Sequence, residues 1–195
     1  MRYTLKDYQA DAVADVLRHL HRARDNYQRY EALSQFALAA TTGAGKTVMA
    51  AAVIEALFFG SDEFDFEPDP GATVLWFSDD PDLNDQSRAR IHAASSELDG
   101  RLRTVENSFA ETTFAPGQVY FLNAQKLREG ARLVRGAQDP TNAATPVMAA
   151  PDMAQRTIYD VIANTVATPG RTLYFILDEA HRGMKTTKKN DQERA

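Results

Sequence analysis

Residues 35–47 read Gln35-Phe36-Ala37-Leu38-Ala39-Ala40-Thr41-Thr42-Gly43-Ala44-Gly45-Lys46-Thr47, and residues 48–59 continue as a mostly apolar stretch without Gly or Pro. A short apolar run, a glycine turn and a longer apolar run are the pattern of strand, loop and buried helix. Gly43 and Gly45 let the backbone curl and aim N–H groups inward, and the helix that opens at Lys46 turns its positive dipole end toward the loop. In that setting Lys46 reaches the β- and γ-phosphates of a nucleotide and the Thr47 hydroxyl addresses Mg²⁺. A glycine turn before a helix accounts for the glycines but leaves the Lys-Thr pair unexplained. The general phosphate-loop pattern asks for Gly at position 40, where this chain carries Ala40.

Outward from the loop, strand and helix patterns keep alternating. Upstream, Tyr8, Ala12, Val16 and Leu20 recur every four residues and predict a helix from near residue 5 to about 32. Downstream, residues 60–71 are an acidic connection, and the apolar run 72–78 is a strand. Asp79, Asp80 and Pro81 suit the start of a helix over 83–98. Runs at 102–106 and 118–123 read as strands, and 130–151, with Pro140, Pro146 and Pro151, reads as a loop or insertion. Met153, Ile158, Val161, Ile162 and Val166 then mark a helix ending before Pro169. The continuous apolar run 172–177 predicts a strand buried on both faces of a parallel sheet. The expected fold is therefore α/β: three layers, with a mostly parallel central sheet and its binding edge at the C-terminal ends of the strands.

The chain has 195 residues, 44% hydrophobic and 25% charged, which suits one soluble domain and no disordered or fibrous class. The charged N-terminus lacks a signal-peptide core, so a cytoplasmic protein with no membrane partner is expected. Absence of cysteine excludes disulfides and thiolate zinc, and His19, His21 and His92 lack ligand spacing. A net charge of −5 argues against coating nucleic acid by bulk charge. Its distribution is uneven: residues 61–87 hold nine acidic side chains and no Lys or Arg, while 101–136 and 182–195 carry an excess of bases. Those basic stretches fit either a local nucleic-acid groove or a solvated surface and tail.

The last strand delivers Asp178-Glu179-Ala180-His181. Alternation at a strand end sends Asp178 and Glu179 to different sides, so Asp178 can hold Mg²⁺ while Glu179 orients and deprotonates a water that attacks the γ-phosphate. The pair is informative because it lies downstream of a phosphate loop.

Together, Ala40-to-Thr47 and Leu177-Asp178-Glu179-Ala180-His181 resemble motifs I and II of the superfamily 2 helicases and translocases, DEAH branch, where Ala at position 40 is common. Leu5-Lys6-Asp7-Tyr8-Gln9 and the Arg182-Gly183-Met184 after the histidine are most similar to the helicase part (Res subunit) of type III restriction enzymes. The resemblance covers essentially the whole chain. It implies a RecA-like, P-loop NTPase domain that uses ATP and Mg²⁺, with Thr42, Gly43, Ala44, Gly45, Lys46 and Thr47 around the phosphates and Thr47 and Asp178 at the metal. It makes Lys46, Asp178, Glu179 and His181 catalytic, His181 coupling the nucleotide to a second motor domain. Tyr8-Gln9 is similar to a glutamine motif, which assigns Gln9 to adenine; the bland alternative is a solvent-facing helix residue. Trp76-Phe77-Ser78 with Leu83 and Gln86 resembles motif Ia, and Asn123-to-Leu127 the next contacting segment. Ser78, Gln86, Gln125 and Lys126 would then grip nucleic-acid phosphates, unless they are ordinary helix-start residues.

The implied partners are nucleic acid, DNA in preference to RNA, a second RecA-like domain in a longer chain, and a modification methyltransferase. The expected division is residues 1–34, a helix with the glutamine-like motif; 35–181, a partial first motor domain; and 182–195, a polar tail. The family fold sets a strand bearing Ser/Thr-Ala-Thr between the phosphate-loop and DEAH strands, and the chain ends before it. Alternatives are a short nucleotide-binding or interaction protein without productive ATPase, and an RNA helicase fragment.

Overall fold

The computed structural model describes residues 1–128, 130–135 and 156–178. Within them, helices α1 (Asp7–Tyr30), α2 (Lys46–Phe59), α3 (Pro81–Ala94) and α4 (Ile158–Ala167) accompany strands β1 (Ala72–Ser78), β2 (Leu102–Thr104), β3 (Val119–Asn123) and β4 (Thr172–Leu177). The strands form one sheet, ordered β2-β3-β1-β4, with every pair parallel. Alternation along each strand divides the core. Ala72, Val74, Trp76, Val119 and Phe121 face Val13 and Leu17 of α1, α2, and Ile91 and Ala94 of α3. On the other side Leu75, Tyr120 and Leu122 meet Ile158 and Val161 of α4. The expected three layers follow, because the central strands β1 and β3 are buried on both faces and need helices on both.

Local signals place several elements as read. Asp80 caps α3 by accepting from the Asp82 N–H at 2.9 Å, with Pro81 in the first turn. Thr157 caps α4 in a reciprocal box with Asp160, whose carboxyl is held below its ordinary range first by the Thr157 N–H and then by the Thr157 hydroxyl. α3 stops at Ala94 rather than continuing to 98, because Ser95 turns extended and its hydroxyl bonds Glu55 on α2. The buried stripe of α1 is Gln9, Val13 and Leu17, one residue on from the expected Tyr8-Ala12-Val16-Leu20. At 100° per residue the two stripes adjoin; Ala12, Val16 and Leu20 flank the core, while Tyr8 stands half exposed.

Two expectations about strands change. Residues 35–40 form no strand: 31–41 have no regular structure and 31–39 are exposed, Leu33 at 90%. A strand exists only by bonding a neighbour's backbone, and none of the described strands lies beside this segment. β4 is a strand as expected, but not one buried on both faces. It pairs with β1 alone among the described strands, and Phe175 and Leu177 are more than half exposed. Tyr174 anchors it by donating to Asp69 at 2.8 Å, and burial next to that carboxylate pushes the phenol far above its ordinary range. The segment 130–151 and Met153 lie largely or wholly outside the described residues.

Candidate functional site

The loop closes on two left-handed glycines, Gly43 and Gly45, each at φ 84°. Gly45 also has no room for a side chain, since a Cβ there would lie 2.5 Å from Gln9 Nε2. Gln9 is 8% exposed. Its Oε1 accepts from the Lys6 N–H at 3.0 Å, capping α1, and its Nε2 donates to the Ala44 carbonyl at 3.0 Å. The Tyr8 hydroxyl donates to the same carbonyl at 3.1 Å. Because a trans peptide sets C=O and N–H in opposite directions, pinning the Ala44 carbonyl to α1 turns the Gly45 N–H away from α1. Gln9 is thus a latch on the loop's backbone, a role that its place in the sequence did not reveal.

Lys46 opens α2 and its Nζ reaches back 2.9 Å to the Ala40 carbonyl, across the span of the loop. No side chain caps α2 among the described residues, and its first turn has no acidic residue. The N–H groups of Lys46 and Thr47 are therefore free donors at a positive dipole end, while those of Val48 and Met49 donate to the Gly45 carbonyl. An open cavity of about 540 Å³ lies between α1 and the loop, lined by Tyr8, Ala12, Leu38, Met49 and the residues from Ala39 to Ala44; Gly45, Lys46 and Thr47 do not line it. The free donors at the start of α2, with the Lys46 ammonium, fit a nucleotide's phosphates.

Asp178 follows β4 at the C-terminal edge of the sheet. Its N–H donates to the Phe77 carbonyl at 2.9 Å, and its carboxylate Oδ2 accepts from the Ser87 hydroxyl at 2.9 Å. Ser87 is buried on α3 and was not singled out from the sequence. The hard oxygens of Asp178 and Thr47 suit Mg²⁺. The described residues contain no cluster of three or more His, Cys, Asp or Glu able to hold a metal ion. Nor does any hydrogen bond or ion pair among them join Asp178 to the loop. Glu179 and His181 lie outside the described residues.

The four expected nucleic-acid contacts stand on one edge of the sheet in different states. Gln86 and Gln125 are exposed. Ser78 is buried and its hydroxyl donates to the Asp80 carbonyl at 2.8 Å, closing the turn into α3. The backbone N–H of Lys126 donates to Asn123 Oδ1, while its ammonium bonds the Val105 carbonyl and pairs with Glu106 at 3.3 Å.

The family model for the type III restriction enzyme, res subunit, matches residues 2–193. The chain belongs to that family. The match takes in both the loop and the Asp178 segment, and the all-parallel sheet agrees with the RecA-like P-loop domain of a helicase-type ATP-binding family. Comparisons with curated proteins and with solved structures gave no match. No helix of the described residues is long and apolar enough to cross a membrane.

Proposed function

We propose that the chain is the ATP-binding part of a restriction-type, ATP-driven translocase on DNA, acting in the cytoplasm. The observation that carries the reading is the loop: left-handed Gly43 and Gly45 lead into an α2 with no side-chain cap, and Lys46 stands at its first position. Magnesium-bound ATP supplies the phosphoryl group whose transfer to water drives movement. The chain's residues bind and orient it. The N–H groups from Thr42 to Thr47 hold phosphate oxygens, Lys46 neutralises the β- and γ-phosphates, and Thr47 and Asp178 supply metal ligands. Glu179 accepts the proton of the attacking water, and His181 communicates with a second RecA-like domain across the cleft. Gln9 meets adenine with the amide hydrogen and oxygen lone pair left over from its bonds to Ala44 and Lys6. Gln86 and Gln125, with Ser78 and Lys126 through their segments, contact DNA phosphates without reading bases. A modification methyltransferase is the companion subunit that fits this activity.

The test is titration of a fluorescent ATP analogue with Mg²⁺ against the chain and its Lys46→Ala variant, followed by DNA-stimulated ATP hydrolysis by the full product of the reading frame. Loss of one charge-assisted contact to phosphate, about 1.5–3 kcal/mol, predicts a 10- to 150-fold weaker Kd for the variant. Equal affinities would refute the role of Lys46. The chain of 195 residues alone is expected to bind weakly and unwind nothing. Duplex unwinding by it would contradict the need for a second domain.

A further inference from the structure

The face of α3 turned to the sheet carries Asn84, Ser87, Ile91 and Ala94, all buried. The stripe is apolar at its C-terminal half and polar at its N-terminal half. A polar side chain in a sheet-facing position costs stability unless it finds a partner. The partner of Ser87 is Asp178, 91 residues away in sequence, whose Oδ2 takes the hydroxyl at 2.9 Å. Asn84, one turn earlier, has no partner for its amide among the described residues.

We propose that Ser87 is a positioning residue for Asp178, and through it for the metal site; the inference rests on the function proposed above. A carboxylate on a single Cβ rotates freely about its last bond, and either oxygen can meet a metal. The Ser87 hydroxyl removes that freedom. It occupies Oδ2, leaves Oδ1 as the ligand oxygen, and fixes the plane of the carboxylate. The backbone end is fixed too, because the Asp178 N–H continues the β1–β4 ladder to Phe77. With both ends held, Asp178 meets the metal without first being ordered. Groups that hydrogen-bond a metal-holding side chain in this way are typically worth about 10- to 100-fold in metal affinity. Ser87 itself touches neither metal nor nucleotide and is not a catalytic residue.

The experiment is an electron paramagnetic resonance titration of Mn²⁺ into the full chain with ADP present, alongside fluorescent-nucleotide binding in EDTA. Ser87→Ala is expected to weaken Mn²⁺ about 10- to 100-fold and to leave metal-free nucleotide binding unchanged. Ser87→Thr, which keeps the hydroxyl, restores Mn²⁺ affinity. In an Asp178→Asn background, Ser87→Ala has no further effect on Mn²⁺. Unchanged Mn²⁺ affinity in Ser87→Ala overturns the proposal, as does an equal loss of metal-free nucleotide binding, which marks a merely structural residue. If Ser87→Ala does not fold, the proposal stands or falls on Ser87→Thr: wild-type Mn²⁺ affinity supports it, and a folded Ser87→Thr with a tenfold loss refutes it. Failure of the wild-type chain to bind Mn²⁺ with nucleotide would remove the proposed function itself, and this inference with it.

Discussion

Gly45→Ala tests the latch between α1 and the loop, because two separable penalties meet at that position. The first is backbone: at φ 84° an alanine Cβ crowds its own carbonyl, a cost of about 1–2 kcal/mol. The second is contact: the new Cβ would stand 2.5 Å from Gln9 Nε2. A glutamine amide is the flexible end of its side chain, so it can swing aside with little steric cost. Swinging aside, however, breaks its 3.0 Å bond to the Ala44 carbonyl in a buried setting, which costs about 1 kcal/mol or more. The substitution should therefore lower stability by about 2–3 kcal/mol, a fall in Tm of roughly 5–10 °C for a domain of this size. Chemical denaturation of wild type, Gly45→Ala, Gln9→Ala and the double variant separates the terms. With Gln9 removed, only the backbone penalty of Gly45→Ala remains, so the two changes should couple by about 1 kcal/mol. An identical cost for Gly45→Ala in both backgrounds would refute the latch.

Two further substitutions probe the frame that holds the site. Leu17→Ala, in the wholly buried centre of the α1–α2 contact, should cost about 2–5 kcal/mol by urea denaturation; a loss under 1 kcal/mol would mean α1 is not docked as described. Tyr174→Phe should cost about 1.5–3 kcal/mol by losing its bond to the Asp69 carboxylate. It should also change the alkaline limb of stability. The folded phenol is held well above its ordinary 10.0, so above that pH the unfolded chain ionises while the folded chain does not. Unfolding then releases a proton, and this contribution to stability falls by about 1.4 kcal/mol per pH unit. The phenylalanine variant should show a flatter decline above pH 10, and parallel curves would contradict the assignment.

Much of the arrangement is legible locally. Asp80 and Pro81 announce the start of α3 because capping involves neighbours in sequence, and β1 runs over the residues its apolar pattern marks. Residues 35–40 show where such reading stops. Their apolar pattern is that of a strand, yet strandedness belongs to a pair, and the pattern does not say whether a partner is beside it. The same limit hides Ser87. A serine in a helix has no functional pattern, and only folding brings it to a carboxylate 91 residues on. Gln9 is an intermediate case: the sequence marks the residue, while its contact with Ala44 emerges from the packing of α1 on the loop.

What the sequence determined by itself is the family and the local form of the loop. Gly43, Gly45, Lys46 and Thr47 lie within five residues and act through their own backbone and helix end, so their order is enough. The tertiary structure decided which stripe of α1 turns inward, that among the described strands β4 is paired along one edge only, and that α3 reaches across to hold Asp178. Each of these is a contact between segments distant in the chain. Such contacts are chosen by the burial and backbone pairing of the whole sheet, and no local window of residues contains them.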